Sequence, residues 1–294
     1  MRTAKLIKPF AASLIVAPLA SILAWRFAGR AAGNSIVNIL FAATVLVEVV
    51  ALREAIKARR LFSKSDAGYL TWTLTVAFLI VRLVAEARLI SLTFKLVQSP
   101  GDFATASSGL FFYIVVLRYL YTISDVLFIG AVLAAILSYK KTGLSFSIGI
   151  LDYFYIVLVC AVPLTTYLYR GNLGLAGIIA SDRYISDYRL IAVFVGGIIA
   201  SLCLIIRRYA LQMGGGTIAR VWNNVAIAGI ARDASFLVLA VLSNWWRPGA
   251  EFGEQYLLWV FSVLWLMAAL YQQEAIAQAS TASAVQPAPT SVGD

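Results

Sequence analysis

The sequence predicts an all-α fold, a polytopic integral membrane helical bundle with eight transmembrane helices. Three observations carry that reading. Of 294 residues, 61% are hydrophobic, and the mean hydropathy is +0.86. Charged residues make up 13%, about half of what a soluble domain carries. Apolar runs recur that are long enough to cross the hydrocarbon, which takes about 20 residues at 1.5 Å each.

In order, Arg2, Lys5 and Lys8 precede the apolar run FAASLIVAPLASILAW, read as a first helix with Pro18 near its centre. The same basic, apolar and small-residue order fits a cleaved signal peptide, which would leave seven helices. A second span covers about Ile36–Leu52 and contains Glu48, and a basic loop with Arg53, Lys57, Arg59, Arg60 and Lys64 follows. The third, about Tyr69–Leu92, holds Arg82, Glu86 and Arg88. The fourth, Ser108–Lys141, is apolar for longer than a bilayer is thick, yet places Arg118, Tyr121, Thr122 and Asp125 on one helical face. The fifth, about Phe146–Tyr169, includes Asp152, Tyr153 and Tyr155, and the sixth, about Leu190–Ile206, has no internal charge. The seventh, about Ile218–Leu242, carries Arg232 and Asp233, and the last covers about Tyr256–Tyr271. Residues 1–275 thus read as one transmembrane domain, and 276–294, small, polar and Pro-containing, as a disordered tail.

Lysine and arginine set the orientation. The N-terminal segment and alternate loops hold thirteen of them, against seven on the other side, which puts both termini in the cytoplasm. The net charge of +10 then reports topology and contact with anionic lipid rather than nucleic acid. Two segments, 57–86 and 206–235, echo each other: a basic cluster, a polar turn, then a Trp-containing helix with a buried Arg. That pattern fits a duplicated hairpin or positive-inside selection acting twice.

Histidine is absent, which removes the commonest general base and transition-metal ligand, and no paired-Asp diphosphate motif occurs. No cofactor or metal is expected. Cys160 and Cys203 sit in apolar segments and read as structural thiols. Asp182-Arg183-Tyr184 lies in a loop, no lysine in the last spans could hold retinal, and Gly214-Gly215-Gly216 lacks a P-loop lysine.

Chemistry therefore falls to ionisable groups inside the spans, which are functional candidates by default. Arg82 and Glu86 are four apart on one face, Arg118 and Asp125 seven apart on another. Arg232 and Asp233 are adjacent and point apart, so each is expected to pair with a neighbouring helix. Interhelical ties are the structural alternative for all of these. Glu48 and Asp152 have no base within reach in their own spans, so each is expected to be a protonated acid. Asp152 leads the aromatic sequence DYFYI and is the first candidate, with Glu48 and Asp125 next. Tyr119, Tyr121 and Tyr155 could stabilise a cation through their ring faces, with Arg118 and Arg82 beside them.

Two classes of function follow. A helical bundle with buried acids and aromatic walls suits acid-initiated cyclisation of a hydrophobic isoprenoid, a reaction that benefits from water exclusion. In size, helix number and the stretches VLVEVV around Glu48 and LDYFYI around Asp152, the chain resembles the small integral-membrane terpene cyclases of fungal meroterpenoid biosynthesis. Val47 stands where one large branch of that family has Trp before its Glu. The resemblance implies a metal-independent isomerase or lyase of secondary metabolism, acting on a prenylated or epoxidised substrate, with Glu and Asp as acids. Endoplasmic reticulum would suit such an enzyme. The other class is a proton-coupled transporter or sensor of a small amphiphilic molecule.

Overall fold

The structure, a computed structural model, describes residues 2–98, 107–141, 149–150, 152–154, 157, 161, 183–242 and 247–285. Among the described residues there are six long helices and no strand. They are α1 (Arg2–Arg60), α2 (Ala67–Gln98), α3 (Ser107–Lys141), α4 (Arg183–Gln212), α5 (Thr217–Leu242) and α6 (Arg247–Val285). Each packs on the next in order, and α6 returns to α1, so the six close into a ring. Four stretches among the described residues are long and apolar enough to cross a membrane: Ser35–Arg60, Val115–Lys141, Val195–Gln212 and Gly249–Thr281.

Three expectations meet the structure differently. The first and second spans lie on one uninterrupted helix rather than on two joined by a loop. The linking residues FAGRAAGNS contain no proline, and alanine and arginine favour helix, so nothing forces a break. At 1.5 Å per residue, 59 residues extend about 88 Å, far beyond one bilayer thickness. The C-terminal helix continues to Val285, so residues 276–285, assigned to a disordered tail, are helical, and 286–294 lie outside the described residues. The fifth span, 146–169, falls mostly outside the described residues.

One end of the ring is basic. Helices α1 and α3 finish there on Arg59-Arg60 and Lys140-Lys141, and α4 brings Arg207-Arg208. Helices α2 and α5 begin at this end after tight turns. In the first turn, the Asp66 carboxylate accepts the Ser63 N–H at 2.7 Å, while Arg59 donates to Tyr69 Oη at 2.6 Å and Thr73 Oγ1 at 3.0 Å. In the second, Gly214 and Gly215 take φ of +70° and +82°, the left-handed region that glycine enters without a Cβ penalty. Small residues Ala51, Ala55 and Ala58 are buried along α1, and Gln273 of α6 donates at 3.0 Å to the Glu54 carbonyl and carboxylate. This lets α1 and α6 approach closely.

The interior is layered. Beyond buried Trp72 and Trp222 lies an aromatic layer in which Phe78, Phe128, Phe261 and Trp265 meet with ring centroids 5.3–5.9 Å apart. Each of the four is nearly fully buried. A layer of buried charge follows, farther from the basic end.

Candidate functional site

Arg82 is the sixteenth residue of α2, about 22 Å along the axis from the helix start at the basic end. Its Nε donates to Glu48 Oε1 of α1 at 2.7 Å, and its Nη2 stands 3.5 Å from Glu86 Oε1, one turn further along α2. All three side chains are buried. The Ser262 hydroxyl of α6 lies 2.9 Å from Glu48 Oε1, and Tyr121 of α3 hydrogen-bonds Glu86. The Arg82 guanidinium sits 4.6 Å from the Phe261 ring centroid and 6.0 Å from that of Tyr121. Four helices therefore converge on one arginine.

A second arginine repeats the arrangement. Arg232 is the sixteenth residue of α5, and it follows Trp222 by the same ten positions that separate Arg82 from Trp72. It pairs with Asp125 of α3 and donates to Asp233 at 3.1 Å. Arg82 also acts electrostatically on Asp125, so the two arginines share one polar interior. Helix α4 comes close at Gly196, where a Cβ would lie 3.5 Å from Asp233 Oδ1. The echo between 57–86 and 206–235 thus has matching helix starts, tryptophans and arginines, and each arginine sits between two carboxyls.

The predicted site residues are distributed unevenly. Glu48, Arg82, Tyr121 and Asp125 come together in this interior. Glu48 is not an isolated acid, because its cation comes from the neighbouring helix. Asp125 pairs with Arg232 rather than with Arg118, which lies on α3 and is half-buried. Arg232 and Asp233 do not part to different helices but bond to each other as well. Tyr119 is 57% exposed on the outer surface of α3, away from any interior path. Tyr155 lies outside the described residues.

Asp152 is separate. Its carboxylate accepts from Arg208 at 2.7 and 2.6 Å and from the Gly149 N–H at 2.9 Å. Those hydrogen bonds hold it below the usual carboxylate range, against the expectation of a protonated acid. It lies outside the four apolar stretches and next to the basic end. A cleft of about 420 Å³ at that end, lined by Tyr139, Met213 and Thr217 among others, holds none of the paired charges.

Reading the sequence did not single out Ser262, Phe261 or Arg208, whose parts depend on helices far away in the chain. The equal Trp-to-Arg spacing was the one local signal that could have promoted Arg232 alongside Arg82. Among the described residues, no cluster of Asp, Glu and Cys fits a metal ion. No protein-family model, curated protein or solved structure matches this chain.

Proposed function

We propose that this is a polytopic membrane protein whose interior binds protons and couples their exchange to transport or sensing of a small amphiphilic molecule. One observation carries the reading: two interior arginines, Arg82 buried and Arg232 partly buried, each face two carboxyls. With every group ionised, each set bears one net negative charge in a medium that penalises it. One proton per set restores neutrality. Because each guanidinium has two alternative partners, the site of that proton decides which helices are tied together, which supplies a two-state element.

The test is proton movement in liposomes holding the full-length protein and a trapped pH-sensitive dye, challenged with amphiphilic amines and acids. Ligand-dependent proton flux in the wild type, lost in Glu86→Gln and kept in Arg208→Ala, supports the reading. Absence of flux with any ligand, together with carboxyl groups that do not titrate, overturns it.

A second reading is the membrane terpene cyclase. The aromatic residues Phe261 and Tyr121 beside buried carboxyls favour it, since ring faces stabilise a cation, as they do for the Arg82 guanidinium. Asp152, Glu48 and Asp125 each accept a guanidinium hydrogen bond, whereas the Arg82 nitrogen nearest Glu86 stands 3.5 Å away, so the acid in this reading becomes Glu86. Membranes incubated with linear prenylated phenols and their epoxides would then yield a product of unchanged mass, absent with Glu86→Gln.

A further inference from the structure

We propose that the Arg82 set exchanges protons with one face only, through Glu86, Glu254 and Glu251, to the end of the bundle opposite the basic one. The inference rests on the proton-binding reading above. Its geometry is directional. Toward the basic end, one turn from Arg82 on α2 and one turn from Phe261 on α6, the route meets Phe78 and Trp265, 5.3 Å apart between ring centroids. Phe128 closes the third side. Among these four rings the one polar atom is the Trp265 indole Nε1, a donor with no free lone pair to accept a proton.

The other direction is acidic. Glu86 lies one turn beyond Arg82, and Glu254 two turns beyond Phe261 on the same face of antiparallel α6, so the two carboxyls converge. The Glu86 carboxyl acts electrostatically on Glu254, and Glu251, one turn further out, does so as well. Burial falls along the line, from 2% exposure at Glu86 to half-buried Glu254 and Glu251. Glu86 Oε2 is buried without a hydrogen-bond partner, as are Gln255 Oε1 and Trp259 Nε1 on the stretch of α6 that carries Glu254.

Facing the line are Glu48 on α1, Arg82 on α2, and Tyr121 and Asp125 on α3, with Arg118 one turn further along α3. Arg232 on α5 is held by Asp125 and Asp233, and α4 contributes Cys203 beside Asp233. In each hop one O–H bond breaks on the donor carboxyl and one forms on the acceptor carboxylate. The outermost proton passes to water as hydronium.

The test uses the full-length protein in one orientation in phosphatidylcholine–phosphatidylglycerol liposomes, with pH stepped on one side at a time. The infrared C=O band of protonated carboxyls is the readout. It should follow the compartment facing Glu251, respond about tenfold more slowly or not at all in Glu254→Gln, and recover in Glu254→Asp. A response from the basic side, an equal response from both sides, or an unchanged response in Glu254→Gln overturns the route while leaving proton binding intact. A band that titrates from neither side overturns both.

Discussion

Arg82 shows how much one side chain can hold in a low-dielectric interior. Replacing it with methionine would leave Glu48 and Glu86 buried without their cation, a loss of about 3–5 kcal/mol. Thermal unfolding in detergent should show Arg82→Met far below wild type. Glu48→Gln, which can still accept the Arg82 hydrogen bond, should fall less. The Arg208–Asp152 pair is a contrast, because its guanidinium is 40% exposed. Arg208→Ala should change stability far less than Arg82→Met in the same assay. The pH dependence has a definite sign. The lowered Asp152 carboxyl contributes stability above its unfolded value, and that contribution is lost as pH falls through the folded one. In Arg208→Ala the Asp152 titration, followed by infrared, should move up toward the ordinary range.

Helix packing sets where these side chains can meet. Helices α4 and α5 approach so closely at Gly229 that an added Cβ would overlap the Cys203 sulfur and come within 3.0 Å of the Phe128 ring. Gly229→Ala should therefore cost about 1–3 kcal/mol by overpacking. Because the sulfur is the nearer obstacle, Cys203→Ala in the same chain should restore part of the loss. Unequal sums of the single and double variants in thermal unfolding would measure that coupling. Equal sums would mean that the two helices separate freely at this point. Phe128 belongs to the aromatic layer, so the same crossing that seats Cys203 also supports the barrier on the basic side of the charges.

For the whole molecule, the uninterrupted α1 leaves no loop between the first two expected spans. A helix that crosses once, with Arg60 at the basic end, leaves the N-terminus on the opposite side. Helix α6 runs to Val285 toward the basic end, where α1 also finishes. Cysteines introduced by Ser65→Cys and Ala282→Cys should react with an impermeant label from the same side, and one from Ala4→Cys from the other. Labelling of all three from one side would mean a break between Arg26 and Ser35, and would restore eight crossings with both termini cytoplasmic. The two arginines lie at matching depth, each the sixteenth residue of its helix, one on α2 and one on α5.

The sequence by itself determined the helical class, the apolar stretches, the basic end and the set of charges that had to be buried. These are legible because hydropathy and the rise of a helix are local properties, and because spacing along one helix decides pairs such as Arg82 and Glu86. Only the tertiary structure decided that Glu48 answers Arg82, that Asp125 answers Arg232, that Tyr119 faces outward, and that four aromatic rings pack together on one side of the charges. Those outcomes depend on how each helix is rotated and shifted against its neighbours. A one-residue slip turns a side chain by about 100° around a helix of 3.6 residues per turn, so no spacing within a single segment can fix its partner on another.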